Sequence, residues 1–236
     1  MGISLKGIHF HCGSGQHGSS AFGKAVKLAR DCLKIGRAYG HLMDTMDIGG
    51  GFPQGDLSPQ TVEALQMTRD DPLEYRVIAE PGRHISANAF YVVTRVLGKR
   101  EKKGKPCYHV NESVYHSFNC VYMDDTTFEE DTQFYRRFSG DREVQMGERK
   151  KSTIFGMTCD GIDVISQDLS IPTDLKVGDW LCFGGMGAYT YGSGGNFNGM
   201  KTTDHIIRWS GVIGEEQARA PFTEIAGNAP TATATV

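Results

Sequence analysis

The sequence lacks any apolar run long enough to cross a membrane, and it lacks any Cys-x-x-Cys pair. A membrane helix needs about 20 consecutive, mainly apolar residues, so we expect no membrane partner. The cysteines have no metal-site or redox-motif spacing, and no signal-peptide pattern precedes them, which predicts reduced thiols in a soluble, cytoplasmic protein. These six residues are Cys12, Cys32, Cys107, Cys120, Cys159 and Cys182.

A surplus of positive charge is also absent. The formal net charge is -3 and the isoelectric point is about 6.2. This average predicts no basic face and argues against nucleic acid as a partner. The negative net charge is weak evidence for a cationic substrate. The length of 236 residues allows one large core or two modest ones.

The first third of the chain alternates strand and helix patterns. We predict strands over residues 5–11, 43–48 and 76–79, and helices over 21–35 and 58–67, with Ser19 or Ser20 as a cap of the first helix. This order is typical of a parallel barrel or a doubly wound sheet. Three strands cannot close a barrel alone, because about eight are needed to fill its interior.

The pattern changes at Ala89 to short alternating stretches, which predict an antiparallel β domain. The expected strands cover residues 90–97, 107–110, 154–155, 180–183 and 206–209. We therefore divide the chain into an α/β part over residues 1–88, a β domain over 89–225 and an unstructured Ala- and Thr-rich tail over 226–236. The charged stretch 124–147 is expected to form a surface excursion.

Residues after the second and third predicted strands are suited to phosphate. Gly49, Gly50 and Gly51 offer main-chain amides without side chains, and Arg83 carries a guanidinium that can bind phosphate through two hydrogen bonds. Alone, a triple glycine is more often a flexible turn. His9 and His11 share one strand face and could bind a metal, but no third ligand follows by spacing, so we predict no metal site.

Four segments together resemble the eukaryotic ornithine decarboxylase family, whose members use pyridoxal phosphate (PLP). They are Phe10–Gly15 (FHCGSG), Asp47–Gly51 (DIGGG), Ala79–Arg83 (AEPGR) and Phe155–Asp163 (FGMTCDGID). The resemblance extends from Gly7 to about Trp209. It implies a fold-type III enzyme, with the last strands of a PLP-binding TIM-like barrel followed by a C-terminal antiparallel β-barrel domain.

The resemblance also implies which residues bind the cofactor. His11 would stack on the PLP ring, and Glu80 would meet the pyridine nitrogen. The phosphate would be bound by Ser14, Gly51, Gly82, Arg83 and Tyr189. Gly184 stands where the family often has an acidic residue.

For the substrate, the resemblance implies that Cys159 governs proton delivery to the α-carbon after carbon dioxide leaves. Asp160 and Asp124 would bind the distal ammonium group of ornithine, and Phe197 would line the pocket. Asp163 would form a salt bridge across the homodimer, in which the family's active sites are shared, with a lysine that this chain does not contain.

The chain departs from the family at the lysine that carries the cofactor. Lys6 lies at the start of the first strand, and no other lysine matches. Met123 also replaces a residue that is usually tyrosine, and the segment between Gly51 and Arg76 is short for a barrel helix. Because Met1 is followed almost at once by a barrel strand, we expect a cut chain that is inactive alone.

Three functions follow from this resemblance. The first is decarboxylation of ornithine to putrescine, for polyamine synthesis, as part of a longer or truncated chain. The second is a non-catalytic regulator like the antizyme inhibitors. The third is another fold-type III enzyme, such as an amino-acid racemase or a decarboxylase of a different amino acid; a racemase would not need two acids for a distal ammonium group.

Overall fold

The computed structural model describes residues 2–14, 20–128 and 147–201 in full, together with the backbone of 133–135. It divides into two compact units, Met1–Phe90 and Tyr91–Val236. The division falls two residues after the expected boundary. The predicted strand over 206–209 and the predicted tail over 226–236 lie outside the described residues, as does Ser19.

The first unit is a three-stranded parallel sheet with helices between its strands. Its strands are β1 (Gly7–His9), β2 (Thr45–Asp47) and β3 (Arg76–Ile78), in the order β1-β2-β3. Helix α1 (Ala21–Ala38) joins β1 to β2, and α2 (Pro59–Arg69) joins β2 to β3. The short helix α3 (Gly82–Ser86) and a 3-10 turn (Ala87–Ala89) complete the unit.

Helix α1 forms because its apolar residues recur on one face. Phe22, Val26, Ala29 and Leu33 are buried on this face. Phe22, Ala29 and Leu33 belong to one hydrophobic cluster with Met46 of β2. Helix α2 begins where local chemistry predicts a helix start. Ser58 accepts a hydrogen bond from the Thr61 N–H at 3.2 Å and is followed by proline.

The second unit contains a six-stranded sheet in the order β6-β9-β4-β5-β7-β8. Its strands are β4 (Val92–Lys102), β5 (Lys105–Val110), β6 (Gln133–Tyr135), β7 (Arg149–Phe155), β8 (Val164–Pro172) and β9 (Trp180–Phe183). A short helix, α4 (Cys120–Met123), follows β5. Two 3-10 turns, Tyr191–Ser193 and Phe197–Gly199, follow β9.

Pairing in this sheet is antiparallel except between β5 and β7, which are parallel. The expectation of a wholly antiparallel domain is wrong at that pair. Closure of the sheet into a barrel stays a prediction, as does the complete TIM-like barrel of the first unit. Within the stretch expected as a surface excursion, residues 133–135 pair with β9 as an edge strand.

The core of the second unit lies on one face of this sheet. Tyr108, Ile154 and Phe183 are fully buried there, and Phe118, Phe128 and Phe183 meet edge to face. Such ring pairs stabilise a core beyond the area that they bury. Across the described parts of the chain, no helix has the length and apolar character needed to span a membrane.

Candidate active site: two residue clusters

The first cluster lies at the C-terminal ends of the three parallel strands, and we call it the strand-end cluster. It comprises residues 10–14, 48–51 and 79–83. Main-chain hydrogen bonds continue beyond the strands, from Phe10 N to Asp47 O at 3.1 Å, from Ile48 N to Ile78 O at 2.9 Å and from Glu80 N to Gly49 O at 2.9 Å. The three loops therefore start side by side at one edge of the sheet.

The triple glycine is required by close main-chain contacts. Gly49 and Gly51 have φ values of 67° and 81°, in the left-handed region that favours glycine. A Cβ on Gly49 would lie 2.2 Å from Phe10 O, and one on Gly51 would lie 2.2 Å from Gly13 O. Any other residue at either position would push the loops apart.

His11 is oriented by this glycine loop. The Gly50 N–H donates to His11 Nδ1 at 3.2 Å, so this nitrogen carries no proton in the bonded state. A neutral His11 ring then has its N–H at Nε2. Because His11, Ser14 and Glu80 are all exposed, the edge of the cluster presents polar groups to a ligand.

Arg83 lies in the first turn of α3 and is half-buried, directly after Gly82. The structure therefore places six of the expected cofactor residues at one strand edge. They are His11, Ser14, Gly51, Glu80, Gly82 and Arg83. Tyr189 belongs to the second unit, where it is 55% exposed with a φ of 53°.

Lysines are absent from this edge in the described residues of the first unit. Lys6 precedes β1, at the opposite end of the sheet, as its position in the sequence predicted. The other three, Lys24, Lys27 and Lys34, lie on α1.

The second cluster surrounds the loop between β7 and β8, and we call this loop, residues 156–163, the cysteine loop. Asp163 holds its base. The carboxylate of Asp163 is 1% exposed and accepts hydrogen bonds from Ser113 Oγ, Val114 N, Thr158 N and Thr158 Oγ1, at 2.9, 3.0, 3.0 and 2.6 Å. The structure thus gives Asp163 a role within its own chain. Its pairing with a partner's lysine stays a prediction.

Asp160 is held by two donors. Its Oδ1 accepts from the Ile162 N–H at 3.1 Å, and its Oδ2 accepts from the Tyr115 hydroxyl at 2.7 Å. These bonds stabilise the charged form, with the Ile162 amide as the larger influence, so the pKa of Asp160 lies below its ordinary value. The bond to the carboxylate raises the pKa of Tyr115 to about 12. Asp160 is therefore a fixed anion at neutral pH.

Phe197 and Cys159 lie beside this anion. The ring of Phe197 stacks on that of Tyr115 with a centroid distance of 3.9 Å and an interplanar angle of 14°. The neighbouring Asn198 donates from Nδ2 to Cys159 Sγ at 3.5 Å. Cys159 is exposed.

Residues 111–119, which we call the scaffold loop, connect these parts. Tyr115 contacts both Asp160 and Phe197, and Asn119 Nδ2 donates to Thr190 O at 2.8 Å, next to Tyr189. His116 is fully buried, and its Nε2 lies 3.0 Å from Met200 O. One loop therefore fixes the cysteine loop, the Phe197 turn and the Tyr189 turn.

Asp124 lies at the C-terminal end of α4 and is half-buried. Two residues earlier, the Tyr122 hydroxyl donates to Ile162 O at 2.5 Å, which ties α4 to the cysteine loop. Sequence reasoning selected Asp124 and missed Tyr115, His116, Asn119 and Asn198. In the sequence, Tyr115 is distinguished only by its aromatic ring and by the strand that precedes it, and neither feature predicts a contact with Asp160.

Comparison with known proteins identifies the family. The model of the C-terminal sheet domain of the pyridoxal-dependent decarboxylases matches residues 19–187. The chain belongs to this family. The resemblance inferred from the four segments is therefore confirmed.

Curated relatives support this family assignment for the chain, which we call the decarboxylase homologue. It is 36% identical over 208 residues to a chloroplastic ornithine decarboxylase of Nicotiana glutinosa, covering 85% of this chain and 48% of the relative. It is 36% identical over 207 residues to ornithine decarboxylase of Schizosaccharomyces pombe, covering 85% and 47%. It is 34% identical over 221 residues to antizyme inhibitor 2 of Xenopus laevis, covering 85% and 47%. The chain spans about half the length of these relatives.

Solved structures show the same fold. The arginine decarboxylase of Paramecium bursaria Chlorella virus superimposes with a TM-score of 0.74 and 33% identity, covering 85% of this chain and 53% of the viral one. The lysine/ornithine decarboxylase of Vibrio vulnificus, complexed with cadaverine, gives a TM-score of 0.70 and 31% identity, covering 84% and 53%. The similar proteins thus differ in the basic amino acid that their names specify.

Proposed function

We propose that the decarboxylase homologue is part of a PLP-dependent enzyme that converts ornithine to putrescine in polyamine synthesis. The observation that carries this proposal is the fixed carboxylate of Asp160, held by Tyr115 and Ile162 beside an aromatic stack. A permanent anion next to apolar rings suits the distal ammonium group of a basic amino acid.

The strand-end cluster fits the proposed cofactor. Gly49 and Gly50 donate their amide N–H groups to Asp47 Oδ1 at 2.9 Å and to His11 Nδ1 at 3.2 Å. The phosphate would therefore be bound by the main chain of Gly51 and by Arg83 at the start of the next helix. Main-chain amides and a guanidinium are the groups that bind a phosphate well. When bound, PLP would draw electrons from the substrate's α-carbon and so stabilise the carbanion left by loss of carbon dioxide.

The roles of the chain's own residues follow from this arrangement. Glu80 would hold a proton at the pyridine nitrogen, and His11 would lie against the ring. Cys159 would deliver the proton that replaces carbon dioxide on the α-carbon. Asp124 would assist Asp160 in holding the distal ammonium group, and Phe197 would close one side of the pocket.

We propose a cytoplasmic homodimer that shares its active sites, with ornithine preferred over lysine and arginine. The identity of the amino acid rests on the residues around Asp160, since the relatives' names include all three substrates.

The test measures binding of ornithine and of PLP to the purified chain by calorimetry. Asp160→Ala should weaken ornithine binding at least about tenfold, a loss of roughly 1.4 kcal/mol, and leave PLP binding within twofold, because only the substrate carries the distal cation. Arg83→Gln should weaken PLP binding selectively. Equal losses of both ligands in Asp160→Ala would contradict the assignment of Asp160.

A non-catalytic regulatory function is the second candidate. It is supported by the 34% identity to antizyme inhibitor 2 of Xenopus laevis, which covers 85% of this chain. We expect the chain alone to release no carbon dioxide from ornithine labelled at its carboxyl carbon. Ornithine binding that is lost in Asp160→Ala would favour the proposed decarboxylase function. If the unmodified chain binds no ornithine, the regulatory function is favoured.

A further inference from the structure

Two short segments of the second unit hold a large share of the chain's positive charge. We call them together the basic corner. Residues 99–105 and 148–151 contain eight of the 25 lysines and arginines but only two of the 28 acidic residues. The eight are Lys99, Arg100, Lys102, Lys103, Lys105, Arg149, Lys150 and Lys151. The acidic balance of the whole chain therefore conceals a basic region.

The sheet brings these two segments together. Strands β4 and β5 are joined by a tight turn at Lys103 and Gly104, whose φ values of 52° and 77° are those of a type I′ hairpin. Strand β7 runs parallel to β5 on its other side. The two segments meet where Lys150 Nζ donates to Gly104 O at 2.8 Å.

Two ammonium groups of the basic corner are held by main-chain carbonyls. Lys99 Nζ donates to Thr173 O and Leu175 O at 2.8 and 2.9 Å, and Lys150 donates to Gly104 O. A carbonyl carries no net charge, so these bonds fix each ammonium group without neutralising it. Each ammonium has three donors, which leaves one on Lys99 and two on Lys150 beyond these contacts.

These fixed charges line a cavity of about 380 Å³. Its walls are Lys99, Arg100, Glu101, Pro106, Lys150 and Thr173. The volume lies in the range of small-molecule sites. None of these residues belongs to the strand-end cluster or contacts the cysteine loop in the hydrogen bonds described above.

The charge of the cavity selects the class of ligand. The ammonium groups of Lys99 and Lys150 supply two positive charges and Glu101 supplies one negative charge, for a net of about +1 at neutral pH. A phosphate monoester carries about -1.5 to -2 at this pH and has three acceptor oxygens.

Arg100 follows Lys99 on β4, so its side chain lies on the opposite face of the sheet. Its guanidinium lies over the Phe155 ring at 5.5 Å, whereas the Lys99 ammonium lies over the Tyr108 ring. A phosphate in this cavity would therefore be bound by the two ammonium groups.

We propose that this cavity binds a dianionic phosphate group, either inorganic phosphate or the phosphate of a small metabolite. Because the two ammonium groups are already fixed, little side-chain entropy is lost when the anion binds. The site is independent of the proposed decarboxylase chemistry.

The test titrates protein labelled with [15N]glycine with inorganic phosphate at constant ionic strength, observed by NMR. Constant ionic strength separates specific binding from general screening. The amides of Gly98 and Gly104 lie on the β4–β5 hairpin, and those of Gly49, Gly50 and Gly51 report the strand-end cluster. We expect saturable shifts at Gly98 and Gly104 with a Kd of about 1 mM or below. A phosphorylated metabolite that shifts the same amide signals with a lower Kd than inorganic phosphate would identify the larger ligand.

Variants assign the binding to the cavity. Lys99→Gln combined with Lys150→Gln should raise this Kd at least tenfold, whereas Lys27→Gln on α1 makes the same change in charge per residue and should leave it within twofold. If the double variant folds poorly, Lys99→Gln and Lys150→Gln made singly should each raise the Kd by a smaller factor. Arg100→Gln removes a positive charge from the opposite face of the same strand and should leave the Kd within twofold.

Two results would overturn the proposal. One is a linear, unsaturated response of Gly98 and Gly104 up to about 20 mM phosphate, which would indicate diffuse ion accumulation. The other is binding of a single-stranded oligonucleotide at the basic corner without any saturable response to phosphate, which would assign the basic corner to an extended polyanion.

Discussion

Asp160 and Tyr115 share one hydrogen bond that alters the acidity of both groups. The bond favours the charged carboxylate and the neutral phenol, so the two pKa values move apart. At neutral pH the pair therefore presents a carboxylate anion and an intact hydroxyl. A ligand that approaches Asp160 meets a charge that does not change across the physiological range.

The coupling predicts reciprocal changes in the two variants. Asp160→Asn should lower the pKa of Tyr115 from about 12 towards its ordinary value of about 10. Tyr115→Phe should raise the pKa of Asp160, because one of its two donors is lost. NMR titration of ring-labelled tyrosine and carboxyl-labelled aspartate measures both values. Tyr122→Phe, which contacts Ile162 O instead, is the matched control and should change the Tyr115 pKa far less. An unchanged Tyr115 pKa in Asp160→Asn would contradict the hydrogen bond.

At the scale of single residues, the sequence predicts chemistry better than geometry. The sequence singles out Asp160 and Cys159 because they stand together in one run, and Gly51 and Arg83 because each follows a strand, and their roles stay predictions. Tyr115 and Asn198 were missed, since their contacts with Asp160 and Cys159 join residues 45 and 39 positions apart. Nothing local in the chain encodes such a pair.

At the scale of elements, the connection between α2 and β3 is held by Asp71. Its side chain is 1% exposed and forms an ion pair with Arg30 of α1, and it also accepts hydrogen bonds from Tyr75 at 2.7 Å and Leu73 N at 3.0 Å. Burial alone would raise the pKa of Asp71. The bonds from Leu73, Tyr75 and Arg30 outweigh burial and lower it.

This lowered pKa predicts a pH-dependent contribution to stability. A carboxylate whose folded pKa is lower than its unfolded pKa stabilises the protein fully above the unfolded value, about 3.9. The stabilisation is lost as the pH falls through the folded value. Asp71→Asn should therefore lower the free energy of unfolding by about 2 kcal/mol at pH 6, and the difference from the unmodified chain should shrink towards pH 3.

Urea unfolding followed by circular dichroism at 222 nm measures this difference at each pH. Asp70→Asn is the matched control. The Asp70 side chain is exposed and, in the described contacts, forms an ion pair only with the exposed Arg69. A difference that is constant with pH would show that Asp71 acts through packing and not through its charge.

The elements themselves were predicted where their residue pattern is regular. Helix α1 was expected over 21–35 and runs to residue 38, because its buried residues keep helical spacing. Strand β8 was not predicted because the exposed Gln167 and Asp168 separate its buried Ile165 from the buried Leu169 and interrupt the alternation. The register of β7 and β8 shifts in this region, which removes the simple alternation that marks a strand.

At the scale of the whole molecule, averages conceal local organisation. A net charge of -3 predicted no basic face, yet the β4–β5 hairpin and the start of β7 concentrate positive charge at one corner of a sheet. The order of elements was more informative than composition. It predicted the change from parallel α/β to β structure, because crossover helices and hairpins leave different patterns in the chain.

The described residues form two hydrophobic cores, one in each unit, and the unfolding of each can be followed by its own spectroscopic signal. Leu33 is fully buried in the core of the first unit and Ile171 in that of the second. Most helical residues described lie in α1 and α2 of the first unit, while Trp180 lies on β9 of the second. Circular dichroism at 222 nm therefore reports mainly the first core, and tryptophan fluorescence the second.

The two cores predict selective effects of cavity-forming variants. Either Leu33→Ala or Ile171→Ala should cost about 2–5 kcal/mol, because each removes methyl groups from a packed interior. Leu33→Ala should shift the urea midpoint measured by circular dichroism more than the one measured by fluorescence, and Ile171→Ala should do the reverse. Leu28→Ala on α1, where the side chain is 68% exposed, is the control for a lost leucine without a cavity. If both signals shifted equally in each variant, the two cores would unfold as one cooperative unit, and a loss in either would then reach the strand-end cluster and the cysteine loop alike.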